Sequence, residues 1–454
     1  MISISACSVY IPRCRLPRET LAEAWGGRPA SGAKAIANFD EDALTMSHSA
    51  VARLGGPAPD RFYFASTTAP YWQRSSSSQI AAAADWGPET ATADFAGSLR
   101  SGFSALLAAF DAVASGAARN VIVTAADRRD APPESAEEAA FGDASSGICV
   151  TASHGPAEVV AFSSRSDDFL DEWRRDADPF VHSYTSKYSL TRGFESNIVS
   201  VAQTVLAKAG VNSSELAAVA VNSPDGRAHA MLAKGLGVEP ARIHSDATAG
   251  VTGAAMPLIA LARALASASP GDLILGLAYG DGADAVLLRC SAPVPLSGRA
   301  DTAPPIPFPS YARYRKSREY LRQDSSGPEI SNVLWKKEER QNVRLHGTRC
   351  PECGVVQFPI TRVCAACRNS QGLLEIALGR CGRVFTFTKD FLYDAPVQPT
   401  VMTVVDLEGG GRFLCQMTDV NERDVHIGMP VELVLRRLRE GGHNHHYYWK
   451  CRPL

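Results

Sequence analysis

The chain has 454 residues, too many for one ordinary domain and enough for two or three. With 45% hydrophobic and 21% charged residues it has the balance of a soluble globular protein, and a net charge of −2 gives no global pull toward nucleic acid or a membrane surface. No apolar run is long enough to span a bilayer, so the expectation is a cytoplasmic protein with no nucleic-acid and no membrane partner.

The N-terminus, MISISACSVYIPRC, alternates like a strand and lacks a basic head followed by an apolar core, so it reads as mature protein rather than a targeting peptide. Residues 1–292 are rich in Ala, Gly and Ser, and apolar β-type runs alternate with long Ala-rich helical stretches, the pattern of a layered α/β fold. The spacing predicts strands over 61–65, 120–125, 147–151, 216–221, 272–277 and 283–289. It predicts helices over 44–54, 101–115, 196–209, 228–236 and 254–267. Ser101-Gly102, an Ala/Leu helix, an apolar strand at 120–123 and Phe141-Gly142-Asp143 are echoed by Thr252-Gly253, a similar helix, a strand at 272–275 and Tyr279-Gly280-Asp281. Two fused copies of one α/β unit account for this, convergence of Ala-rich helices being the alternative.

Residues 293–310 form a proline-rich, semi-rigid linker. A lead-in over 311–344 opens with YARYRKSREYLRQ, where helical spacing puts Tyr311, Tyr314 and Leu321 inward and Arg313, Lys316 and Arg318 outward. That basic face is either solvated or a patch facing phosphate. The segment 345–378 holds Cys350-Pro-Glu-Cys353, ten intervening residues, and Cys364-Ala-Ala-Cys367. Two such knuckles bracketing a hairpin supply four thiolates at tetrahedral angles, which fill the coordination of a structural zinc ion; a rubredoxin-type iron or a redox pair is the alternative. The other cysteines (Cys7, Cys14, Cys149, Cys290, Cys381, Cys415 and Cys451) stand in apolar or strand contexts and read as inert core residues of a reducing compartment. From 379 to 454 the pattern turns to strands over 382–388, 400–407, 412–418, 430–435 and 447–452, broken by glycines, as in a small OB-type barrel.

These C-terminal features, with the Phe358-Pro359 bend and the strand Tyr447-Tyr448-Trp449-Lys450, resemble the zinc-ribbon/OB-fold proteins that accompany thiolase-superfamily enzymes. The first 292 residues resemble the 3-hydroxy-3-methylglutaryl-CoA synthase and ketoacyl synthase III branch of that superfamily. The stretches that carry this are Val9-Tyr10-Ile11-Pro12-Arg13, Asn38-Phe39-Asp40-Glu41-Asp42 with Thr45-Met46, Asp94-Phe95-Ala96, Ser223-Pro224-Asp225-Gly226-Arg227 and Tyr279-Gly280-Asp281-Gly282. The resemblance implies a pseudo-duplicated five-layer αβαβα thiolase fold, followed by the ribbon and the barrel. It also implies a coenzyme A thioester as ligand or substrate, a homodimer formed through edge strands, and a catalytically competent thiolase or acyltransferase as partner.

An enzyme of that branch carries a cysteine at the N-terminus of a buried helix, where the helix dipole and nearby amides activate it, with a histidine, an asparagine and a glutamate around it. Carried over one position at a time, the nucleophile falls on Leu99, the histidine on Asn222, the asparagine on Ala249 and the glutamate on Thr67. No cysteine lies between Cys14 and Cys149. Leucine cannot carry an acyl group and alanine cannot donate a hydrogen bond. The expectation is therefore a degenerate site lined by Thr67, Ser98, Leu99, Asn222 and Ala249. The rival reading uses Ser98 or Ser101 as nucleophile with His182 or His244 as base. Arg100, Arg313, Lys316 and Arg318 are the candidate contacts for the anionic parts of the ligand, Arg100 equally suiting a structural ion pair.

Overall fold

The computed structural model describes residues 1–28, 31–176, 178–184, 187–223, 225–297, 304–320, 331–393, 395–441 and 444–454. The first half of the body runs β1 (Ser3–Tyr10), α1 (Ala43–Leu54), β2 (Arg61–Ala65), α2 (Ser76–Ala83), β3 (Ala91–Phe95), α3 (Ser101–Ala114), β4 (Asn120–Asp127) and β5 (Ala144–Thr151). The second half runs β6 (Ala157–Ser166), α4 (Ser196–Ala209), β7 (Leu216–Val221), α5 (Gly226–Leu236), β8 (Ile243–His244), α6 (Met256–Ala266), β9 (Leu273–Tyr279) and β10 (Gly282–Cys290). The strand orders are β3-β2-β4-β5-β1 and β8-β7-β9-β10-β6, the same path walked twice. The directions match too: β2 is parallel to β3 and β4 as β7 is to β8 and β9, and the last strand of each half is antiparallel to its neighbours. The halves join where Ser3 and Ile4 pair with Glu158 and Ala157.

The echo read from the sequence is thus a duplication of topology. Its two apolar helices, α3 and α6, pack against each other in the middle layer and share one core through Phe103, Leu106, Leu258 and Leu261. A Cβ on Gly102 would stand 2.6 Å from the Ala254 carbonyl oxygen, so only glycine permits that approach. Helices α4 and α5 cover the outside of the second half, and α1 and α2 that of the first. The strands β3 and β6 and the helix α2 escaped sequence prediction.

The described ends of the proline-rich stretch lie along the body, Leu296–Ser297 pairing with Cys7–Ser8 and Ile306–Pro307 with Cys14–Arg15, and α7 (Tyr311–Tyr320) packs back on the body. Tyr314 is buried as expected, and Leu321 lies outside the described residues. The expected outward position of Arg318 is wrong. It shares a face with Tyr314 and is fully buried, with its guanidinium 2.7 Å from the equally buried Asp143 carboxylate and donating to the Arg129 carbonyl. A buried carboxylate needs a cation beside it, and Asp143, far away in sequence, takes this one.

A three-stranded sheet of β11 (His346–Arg349), β12 (Val356–Gln357) and β13 (Leu374–Ala377) carries the cysteine knuckles. The strands β14 (Cys381–Asp390), β15 (Thr400–Leu407), β16 (Arg412–Met417), β17 (Pro430–Gly441) and β18 (Asn444–Pro453) close a barrel in the order β14-β15-β16-β18-β17. The barrel shares a hydrophobic core with α1 and β2: Leu44, Met46 and Phe64 belong to the same cluster as Val431, Leu435 and Trp449. This explains why every residue of α1 from Ala43 to Val51 is buried, one face on the sheet and the other on the barrel. Among the described residues no helix is long and apolar enough to cross a membrane.

Candidate functional site

The mouth of α3 gathers most of the positions carried over from the resemblance. Leu99 precedes the helix, Arg100 caps it without a side-chain cap bond, and Ser101 is its first residue. A Cβ on Gly280 would lie 2.7 Å from Ser98 Oγ and 3.1 Å from the Leu99 nitrogen, so the turn after β9 lies directly over this segment. Asn222, at the end of β7, is clipped to that turn: its Nδ2 donates to the Tyr279 carbonyl at 2.9 Å, and the Tyr279 N–H donates to its Oδ1 at 2.9 Å. Thr67, after β2, donates to Asp127 through its N–H at 2.7 Å and its hydroxyl at 2.9 Å. Ala249 contributes its carbonyl, which accepts from the Ala35 N–H at 2.9 Å.

Asp127 is the organiser that sequence reasoning missed. Fully buried at the end of β4, it accepts from Ser66, Thr67 and Thr68 of one half and from the Ala254 N–H of the other at 2.7 Å. Its only sequence signal is a carboxylate closing the apolar strand Asn120–Asp127.

Arg100 is committed to structure. Its guanidinium donates to Asp284 at 2.6 Å and to Ser164 at 3.0 Å, and Asp284 is 1% exposed. Among the described residues, Ser101 Oγ is buried without a hydrogen-bond partner. His182 pairs with Asp178 at 3.4 Å and stacks on Trp173, while His244 stands on the short edge strand β8. Among the described residues neither histidine is hydrogen-bonded to Ser98 or Ser101. Cys7 and Cys149 lie within the central strands and Cys290 closes β10; burial pushes each thiol up, that of Cys290 to about 11. Lys316 is exposed, and Arg313 faces a separate cavity.

The cysteine cluster fits zinc on its own geometry. All four sulfurs lie within 4.8 Å of one another, with Cys350–Cys367 and Cys353–Cys364 at 3.6 Å. Tetrahedral zinc–thiolate bonds of about 2.3 Å place sulfurs at about that separation. Four thiolates leave no open position, so the ion would be structural.

A third site joins the parts. Arg436 on β17 is fully buried and reaches Asp419 at 2.8 Å, Glu41 at 2.9 Å and Asp40 at 3.6 Å. Lys450 pairs with Asp40 at 2.8 Å, and the Tyr447 hydroxyl donates to Asp42 at 2.7 Å. Asp42 also caps α1, accepting from the Thr45 N–H at 3.0 Å. The stretch Asn38–Asp42, read from the sequence as a mark of family, is here the seat of the barrel.

The C-terminal segment matches two family descriptions: the ChsH2 rubredoxin-like zinc ribbon domain over residues 339–371 and the ChsH2 C-terminal OB-fold domain over residues 375–436. Residues 206–290 match the C-terminal part of 3-oxoacyl-[acyl-carrier-protein] synthase III. The DUF35 domain-containing scaffold protein of Methanocaldococcus jannaschii is 38% identical over 118 residues, 24% of this chain and 82% of that protein.

The chain is a thiolase-fold body joined to a DUF35-type module.

For this thiolase-fold body the hydroxymethylglutaryl-CoA synthase of Thermococcus onnurineus is 24% identical over 339 residues, covering 70% of the chain and 96% of that enzyme. Among solved structures, an HMG-CoA synthase complexed with CoA superposes with a TM-score of 0.61 at 15% identity, over 73% of this chain and 92% of that one. The 3-oxoacyl-[acyl-carrier-protein] synthase III of Aquifex aeolicus gives 0.57 at 23% identity, over 64% and 100%. These likenesses establish the thiolase fold of the body.

Proposed function

We propose that the chain is an acyl-CoA-binding thiolase-fold component that has lost the inherited covalent chemistry. It acts with a partner thiolase or acyltransferase in carbon–carbon bond formation or cleavage, and its DUF35 module bridges to that partner. One observation carries the reading: the residue at the mouth of α3 is Leu99, a hydrocarbon where a thiolate would have to attack a thioester. The neighbours agree. Thr67 is spent on Asp127, Asn222 on the Tyr279 backbone, and Ala249 has no polar side-chain atom. The solved CoA-bound relative supports a coenzyme A thioester as ligand. The edge strand β3, paired on one side only among the described residues, supports a homodimer of twice 48.4 kDa.

The buried, unpartnered hydroxyl of Ser101 favours a second reading, an active condensing enzyme or acyltransferase with a serine nucleophile. Incubation of the purified chain with radiolabelled acetyl-CoA separates the two. The first reading expects no protein-bound label and no turnover by the chain alone, together with co-elution with a co-encoded thiolase. A stable adduct on Ser98 or Ser101 establishes the second. Full activity of the thiolase alone, with no association, sinks the first.

A further inference from the structure

A cavity of about 580 Å³ lies where the body, the approach to α7 and the barrel meet, a size that suits a small-molecule ligand. None of Thr67, Ser98, Leu99, Asn222 or Ala249 lines it, so it is separate from the inherited mouth. Its walls are mostly apolar and come from all three parts: Phe39 from the body, Phe308 from the approach, and Tyr393, Pro396, Val401 and Met417 from the barrel. One face of α7 supplies Arg313, Ser317 and Tyr320 at helical spacing.

Among the described residues, the side chains of Ser317 and Arg313 in this lining have no hydrogen-bond or ion-pair partner. Ser317 is 3% exposed, and among the described residues its hydroxyl makes no hydrogen bond; a buried hydroxyl in that state takes an ordered water or a ligand oxygen. The guanidinium of Arg313 has no ion pair or hydrogen bond among the described residues, only its backbone N–H being engaged, by Ser310. The other charges of the lining are balanced locally: Lys450 by Asp40 at 2.8 Å, Asp419 by Arg436 at 2.8 Å, and Arg423 by Glu422 at 3.7 Å. The cavity is a largely apolar chamber in which the Arg313 cation and the buried Ser317 hydroxyl stand uncompensated among the described residues.

We propose that this junction cavity binds an amphipathic carboxylate, its chain against the aromatic and proline walls and its carboxylate on Arg313 and Ser317. A forked guanidinium matches the two oxygens of a carboxylate. The site would make the fit between body and barrel sensitive to such a ligand, because both parts form its walls.

Isothermal titration of the full chain with decanoate, below its micellar concentration, tests this. The expected result is saturable one-site binding, with decanol at least about tenfold weaker because it lacks the charge. Arg313→Gln is expected to weaken decanoate about tenfold and leave decanol unchanged. Val397→Trp, at an exposed wall position, fills the chamber and is expected to abolish both while leaving zinc content and thermal midpoint as in the wild type. Absence of saturable decanoate binding overturns the proposal, as does decanoate binding undiminished in either variant.

Discussion

His48 lies in the middle of α1, 2% exposed, with its ring edge-on to Trp449 of the barrel at 5.4 Å. Burial holds its pKa down to about 3, and the nearby Arg380 guanidinium adds to the effect. Unfolding returns it to about 6.5. Below that value the unfolded chain takes up a proton that the folded chain refuses. This contribution to stability is therefore present above about pH 6.5 and is lost as pH falls toward 3. Urea unfolding at pH 6.5 and 4.5 checks it: the wild type is expected to lose roughly 2 kcal/mol more than His48→Gln across that interval. An equal loss in both proteins refutes this role. Single residues differ in how far the sequence betrays them. The zinc ligands were legible because four thiols at fixed spacing have few other uses. Arg318 was not, because its partner Asp143 comes from another element and helical periodicity alone cannot tell a solvated arginine from a paired one.

At the scale of elements, the ribbon depends on its ion. Its strands are short, β12 being two residues long, and the cluster sits where a larger segment would place an apolar core. Cys364→Ser is expected to lower zinc from one ion per chain toward none and to remove hydrogen-exchange protection from β11 and β13, leaving β4 and β9 protected. Wild-type zinc content in that variant argues against the four-thiolate site. The buried helices α3 and α6 were legible because long Ala/Leu runs flanked by glycine have one plausible use. The helix α2 was not, because SSSSQIAAA opens like a loop. It forms because Ser75 caps the Ser78 N–H and the Asp94 carboxylate accepts from Ser76 and Ser77, an arrangement requiring a residue from the neighbouring strand β3. Likewise β3 lies at a sheet edge, where alternation is weak.

At the scale of the whole molecule, the body and the DUF35 module are welded by charge as well as by core. Removing one partner of a buried ionic cluster leaves the others unpaired. Arg436→Met is therefore expected to destabilise the chain by about 3–5 kcal/mol, and Glu41→Gln added to it to recover part of that loss. A urea midpoint unchanged in the single variant would show that the cluster contributes nothing to docking. The sequence disclosed both parts but not their contact, since Asp40, Glu41 and Asp42 read as family marks and gave no hint of the cations they would meet.

That body and barrel belong to one polypeptide changes the meaning of that contact. Two separate polypeptides occupy such a seat in proportion to their concentrations, whereas a covalent leash fixes the local supply of the second party however dilute the cell makes the first. Stoichiometry is then written into the chain, and a free-standing scaffold of the same kind meets a chair already taken.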